Sequence, residues 1–230
     1  VQVRVGSVRG RVIQVVILAA VLGGCAPSAE GGAGASGSPS AERAGDKGAA
    51  AASGGTIGAS GSACELPVSF DIAKGWKAKG IDAEKELSGA SKGSDGDVTG
   101  GFADAFLRQG PVTTACEIDA KPAGKIGFLR VWTGKPGDAD TRTVLRQFVA
   151  AEDNTSKVKY RSFRTATGVS GVEVEYLYTS KLLEESKKES ALAVSTPDGP
   201  VVLHLGGLDT EEHTAMLPAY ELAKRTLRIR

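Results

Sequence analysis

Residues Val68-Ser69-Phe70-Asp71-Ile72 alternate apolar and polar, and Ala73-Lys74-Gly75-Trp76 follows them directly. Alternation over five residues is the pattern of a half-buried strand. The glycine marks a turn, and the tryptophan after it is a large apolar anchor for that turn. A strand that delivers a turn onto a core residue needs a sheet beside it, so the chain downstream has to supply that sheet.

It does. Ile126–Thr133 reads as a strand buried over most of its length, and Gly134-Lys135-Pro136-Gly137 as a loop. Asp140 or Thr141 then caps a helix running to about Glu152, with Val144, Leu145, Phe148 and Val149 on one face. Val158–Phe163 and Gly171–Thr179 read as strands. In the second, Val172, Val174, Tyr176 and Tyr178 share a face, while Glu173 and Glu175 take the other. Residues 181–188 are charged and expected to be exposed. Ala191–Thr196 and Val201–Leu205 flank Pro197-Asp198-Gly199-Pro200, a hairpin signal. A final helical region starts at Asp209 or Thr210 and runs to about Arg225, with Pro218 either kinking it or opening a fresh helix. A short strand closes the chain, with Leu227 and Ile229 on one side. Phe102, Ala105, Phe106 and Gln109 fit a helical face with a weak start at Gly100-Gly101. The order gives an α+β class: an antiparallel β-sheet with helices packed against it.

Upstream of Val68 the composition changes. Residues 26–63 hold 10 Gly, 12 Ala, 7 Ser and 2 Pro, with Ile57 as the one large aliphatic. Such a stretch buries too little apolar area to offset its ordering entropy, so residues 25–63 are expected to be a disordered linker. All 12 aromatic residues lie beyond position 64. Residues 64–230 are therefore expected to form a single domain.

The first residues carry Arg4, Arg9 and Arg11 and no acid. Eleven residues, Val12–Leu22, follow and are apolar apart from Gln14. Basic region, apolar run and small residues before a cleavage point make a secretory signal over 1–24. The run is shorter than the roughly 20 residues a membrane-spanning helix needs. Leu22-Gly23-Gly24-Cys25 resembles the lipobox of bacterial lipoproteins. That resemblance implies a diacylglycerol on Cys25, cleavage between Gly24 and Cys25, and a lipid-anchored domain on the extracytoplasmic face of the cell membrane. Two acyl chains satisfy the two-signal rule for stable anchoring. In an exported chain the remaining pair, Cys64 and Cys116, is expected to form a disulfide.

Phe70, Asp71, Ile72, Gly75 and Trp76, with the strand-then-helix middle and the closing Leu227-Arg228-Ile229, resemble the Mog1/PsbP-like fold of actinobacterial LpqN-type lipoproteins. The resemblance covers about 66–230 and implies an α/β/α sandwich acting as a non-enzymatic binding or accessory module.

Motifs for chemistry are thin. Gly89-Ala90-Ser91-Lys92-Gly93 matches a serine-hydrolase elbow, but the residues before it are mostly polar, where the elbow needs an apolar strand. Asp95-Gly96-Asp97-Val98-Thr99-Gly100 starts like a calcium loop, but its twelfth position is Phe106 instead of an acid. Glu173 and Glu175 stand one strand repeat apart, as glycosidase pairs can, and equally as alternation requires. His204 reads as a structural residue of its strand. His213 reads as exposed in the first turns of the last helix, and the two histidines share no metal-ligand spacing. Lys157, Lys159, Arg161 and Arg164, interleaved with Tyr160 and Phe163, could meet anionic headgroups or wall polymers, or simply guard a sheet edge. No cofactor or metal is implied. A net charge of +1 argues against a nucleic-acid partner. What is left is a lipid-anchored module binding an envelope protein, a polymer or a small ligand. A small-ligand carrier and an envelope hydrolase using Ser91 or the Glu173/Glu175 pair are the alternatives.

Overall fold

The computed structural model describes residues 50–83, 85–86, 106–137 and 139–230. The chain divides into two units, Val1–Ala44 and Gly45–Arg230, and every described residue lies in the second. Signal residues 1–24, Gly24 and Cys25, the 89–93 motif with Ser91, and the 95–100 motif all lie outside the described residues.

Two antiparallel sheets form the frame. The smaller has order β1-β2-β11, from β1 (Ser53–Ile57), β2 (Val68–Ala73) and β11 (Arg228–Ile229). The larger has order β3-β5-β6-β10-β9-β8-β7. Its strands are β3 (Lys77–Gly80), β5 (Val112–Asp119), β6 (Gly127–Gly134), β7 (Thr155–Arg164), β8 (Ser170–Thr179), β9 (Ser186–Thr196) and β10 (Gly199–Gly207), with β4 (Arg108–Gln109) paired to β5. Helix α1 (Thr141–Ala150) covers one face of the large sheet. Helix α2 (Thr210–Thr226) and the small sheet cover the other.

Each core follows from strand parity. On the α1 face, Val172, Val174 and Tyr176 of β8, Ala191 and Ala193 of β9, Val202 of β10 and Trp132 of β6 meet Val144, Leu145, Phe148 and Val149. On the α2 face, Leu129, Val131, Leu192, Val194, Leu203 and Leu205 meet Met216, Ala219, Tyr220, Leu222 and Ala223. The expected α1 begins as read: the Asp140 side chain accepts from the Arg142 and Thr143 amides. Its carboxyl sits below the usual value because those helix-end donors favour the anion. Pro218 does not open a fresh helix: the last helix runs unbroken from Thr210 to Thr226 with the proline inside it. Burial of its apolar stripe outweighs the lost hydrogen bond.

Four expectations need correction. Residues 50–63 belong to the fold and not to a linker. Strand β1 pairs with β2, and Ile57 is buried. Two of the glycines that read as flexibility, Gly54 and Gly58, are there for close approach: a Cβ on Gly54 would sit 2.8 Å from the Ala73 carbonyl oxygen. Of the expected helical face, Phe102 and Ala105 lie outside the described residues, Phe106 is helical but exposed, and Gln109 lies in β4. Leu227 is buried, but Ile229 is not, because the chain leaves α2 through Leu227 and only then joins the edge of β2. His213 is buried.

A bulge at Ala115 interrupts the β5–β6 register between Thr114 and Cys116. Thr114 is paired with Trp132 on the α1 side, and after the bulge Cys116 and Ile118 join the α2-side core. That turn of the strand brings Cys116 to Cys64, to which it is bonded with Cα atoms 5.9 Å apart.

Candidate functional site

The strands place a line of polar side chains inside the α1 face. Tyr176 on β8 pairs in register with Glu189 on β9, and His204 on β10 pairs with Ala191, one same-face step further along β9. His204 Nε2 is 2.9 Å from Glu189 Oε2, so Nε2 carries the proton shared with that carboxylate. Lys187 Nζ holds the other oxygen, Glu189 Oε1, at 2.8 Å and also donates to the Gly207 carbonyl. The Tyr176 hydroxyl donates to Glu152 Oε2 at 2.7 Å and lies 3.4 Å from His204 Nε2. The imidazole stands edge-on to Phe128 and Phe148.

Burial dominates the electrostatics. It pushes the Glu189 carboxyl up, but the hydrogen bond and charge of His204 and then those of Lys187 outweigh it, so Glu189 ends below the ordinary value. Burial raises Glu152, and the His204 charge and the Tyr176 hydrogen bond offset it only partly. Burial also holds Tyr176 well above its usual range.

A second pair lies on the α2 side. Ser190 Oγ is 3.0 Å from His213 Nε2, both buried. A serine on an imidazole resembles a nucleophile and its base. Here, among the described residues, His213 Nδ1 has no partner to orient or charge the ring. Burial lowers His213 to about 4, against a raising charge from Glu189 and lowering ones from His204 and Lys188. The pair is a neutral packed contact.

That gives a pH prediction. Unfolded, His213 takes up a proton near pH 6.5; folded, near 4. Between those values the unfolded state holds the extra proton, so stability falls as pH falls, by roughly 3 kcal/mol in full. Urea unfolding at pH 7 and pH 4.5 is expected to lose about 2–3 kcal/mol more in the wild type than in His213→Gln. Equal losses in both would refute the assignment.

The other sequence candidates are held in structural contacts. Glu173 bonds Lys224 at 2.8 Å and Arg161 at 3.2 Å, and Glu175 also pairs with Arg161. Glu173 and Glu175 are thus neutralised by cations and do not face an open cleft as a bare acid pair. Lys224 is pushed up despite burial by Glu173 and Glu221. On β7, Phe163 packs on the α2-side core and the Arg142 guanidinium lies over the Tyr160 ring. Among the described residues, no three His, Cys, Asp or Glu are arranged to hold a metal. Two clefts open at the surface. One of about 560 Å³ is lined by Thr167, Gly168, Val169, Arg228 and Ile229. The other, about 360 Å³, has Glu117, Asp119, Arg130, Ile126, Phe128 and Leu208 among its walls.

A family model described as "Uncharacterised lipoprotein" matches residues 34–227. The chain belongs to this lipoprotein family. No curated protein matches it. Among solved structures, the cyanobacterial PsbP (CyanoP) of Synechocystis sp. PCC 6803 is similar at 11% identity and a TM-score of 0.44, over 76% of this chain and 98% of that one.

In this lipoprotein, sequence reasoning missed Glu189, Lys187, Tyr176 and Glu152 as one network. Parity was the available signal. Glu189 shares its side of β9 with Ala191 and Ala193, so a strand read two residues further back would have buried it.

Proposed function

We propose that this lipoprotein is held on the extracytoplasmic face of the cell membrane through a diacylated Cys25 and presents a non-enzymatic binding domain. The observation that carries the reading is the run Arg4–Arg11, Val12–Leu22, Leu22-Gly23-Gly24-Cys25 in a chain of a lipoprotein family. The cysteine count supports it: of three cysteines, Cys64 and Cys116 are bonded to each other, which leaves Cys25 for the lipid. Among the described residues, the way the candidate groups are used supports the non-enzymatic reading. His204, Glu189, Glu173 and Glu175 are engaged in internal ion pairs and hydrogen bonds. The polar network braces β8, β9 and β10 against α1, which fits a rigid body that positions a surface.

Mass analysis of the purified mature protein is expected to find an acylated cysteine as its first residue. Cys25→Ala is expected to leave an uncleaved precursor or a released protein. Mature, membrane-held Cys25→Ala protein would refute the anchor.

A further inference from the structure

We infer that the end of the domain bearing Ile126, Leu182, Leu183 and Leu208 rests on the membrane that holds the anchor. This depends on the anchored-lipoprotein reading and adds which surface of the domain meets the bilayer.

Three connections come together at one end of the large sheet. Ile126 ends the β5–β6 link, Leu182 and Leu183 form the tip of the β8–β9 hairpin, and Leu208 follows β10. Cross-bonds hold them side by side. The Leu208 amide donates to the Ile126 carbonyl at 3.0 Å. At the hairpin base, Lys187 Nζ donates to the Gly207 carbonyl, and the Lys188 amide to Thr210 Oγ1. These four side chains are 50%, 90%, 64% and 61% exposed, and they make up four of the seven exposed large apolar residues among those described. A soluble surface that collects such groups at one end marks an interaction site.

What covers it follows from where the rest of the chain joins. Strand β2 runs toward this end: its turn at Gly75 lies against Ala123 of the β5–β6 link, where an added Cβ would meet the Ala123 Cβ at 3.2 Å. Strand β1 is antiparallel to β2, with Ser53 opposite Ala73. Lys74 donates to the Ala52 carbonyl, and Ala51 to that of Pro218. The chain preceding Ser53, which leads back to Cys25, therefore enters beside the middle of α2, on the side of the domain toward which β2 runs and where Ile126 and Leu208 are exposed. An acyl group at Cys25 would hold this end nearest the bilayer and raise the local concentration of lipid facing the four side chains.

Charge does not drive the contact. Lys181 and Lys188 at the hairpin are matched by Glu184 and Glu185. Insertion of leucine side chains at the headgroup boundary is the force, so attachment should respond little to salt.

The probe is a single label. With Cys25 acylated and Cys64 bonded to Cys116, a cysteine introduced at Leu183→Cys is the one free thiol. It carries an environment-sensitive NBD group. Asp198→Cys, in the exposed turn at the far end of the β9–β10 hairpin, carries the control. One arm uses the acylated protein in phosphatidylethanolamine/phosphatidylglycerol vesicles. The other uses the chain from Ala26 with an N-terminal hexahistidine, held on nickel-chelating lipid, and so does not depend on acylation.

In both arms the label at 183 is expected to be blue-shifted and quenched several-fold more than that at 198 by spin-labelled lipid, at low and high salt alike. A blue shift at 183 without lipid quenching would mean that a second copy or another protein covers the tip, and would overturn the proposal. So would equal, water-like signals at 183 and 198. If the acyl arm fails to attach while the nickel arm shows lipid quenching at 183, the reading of Cys25 falls and this inference stands.

Discussion

Glu189→Ala is expected to cost about 3–5 kcal/mol of folding stability, seen as a fall in melting temperature on the order of 10 °C. The carboxylate is 2% exposed and accepts from His204 and Lys187 at once. Alanine leaves the His204 Nε2 proton inside the α1 core with only the 3.4 Å contact to the Tyr176 hydroxyl. Lys187 loses less, because its side chain is 27% exposed and keeps the Gly207 carbonyl. The penalty is therefore mainly that of an orphaned imidazole between Phe128 and Phe148. If so, removing both polar partners should restore much of the loss. Glu189→Leu with His204→Leu is expected to be less destabilised than the sum of the two single leucine variants, by about 1–3 kcal/mol. Urea unfolding at pH 7 measures all of these. A Glu189→Ala loss below about 1 kcal/mol would show that the pair is solvated and contributes little.

The pH dependence of this network has two opposed parts. Glu189 sits below its ordinary value, so its contribution is present above the unfolded value and is lost as pH falls through the folded one. Glu152 sits above its ordinary value, so the fold prefers it protonated, and that preference is lost as pH rises through its folded value. The two carboxyls bracket Tyr176 and His204 and are shifted in opposite directions. The buried Glu189 carboxylate, with His204 and Lys187 as its two donors, ties strand register to side-chain pairing. A shift of β9 by one residue would turn Glu189 to the α2 face and strand His204.

How much of this could be read in the chain depends on which physical term each element rests on. Strand β2 and its tryptophan turn, β6, helix α1 with its Asp140 cap, and the β9–β10 hairpin over Pro197-Asp198 are all local patterns, and the fold keeps them. Strand β1 was hidden because Gly54 serves packing against β2 while Gly55 takes a positive φ, and composition cannot distinguish a glycine that is close-packed from one that is free. Strand β5 carries a clear alternation at Val112, Thr114, Cys116 and Ile118. The bulge at Ala115 then divides that single pattern between two cores, which no periodicity reveals. The network was hidden for a third reason. Glu152, Tyr176, Glu189 and His204 are brought together by the register of β8 on β9 and β9 on β10, a property of pairing and not of any one strand. His213 read as exposed from its place in the first turns of the last helix, but helix phase turns it inward onto Ser190.

Opening the Cys64–Cys116 bond, by Cys64→Ala with Cys116→Ala, is expected to cost about 4 kcal/mol by loop-closure entropy for the 52-residue separation. The bond ties the lead-in to β2 to β5, the strand next to the β3 edge of the large sheet, so its loss falls unevenly. The small sheet is otherwise held to α2 by packing and by such contacts as the Thr226 hydroxyl on the Asp71 amide. Hydrogen exchange should therefore rise first over β1 and β2 and last over β9 and β10, where neighbours lie on both sides. Reducing the wild type should reproduce both the loss and its distribution, since each cysteine is buried and alanine removes little besides the link. A double-alanine protein within about 1 kcal/mol of the oxidised wild type, with uniform exchange, would mean that α2 alone secures the small sheet. The expected result instead makes β1 depend on an oxidising compartment. In a reducing one the domain would keep its large sheet and loosen at the end that leads to Cys25.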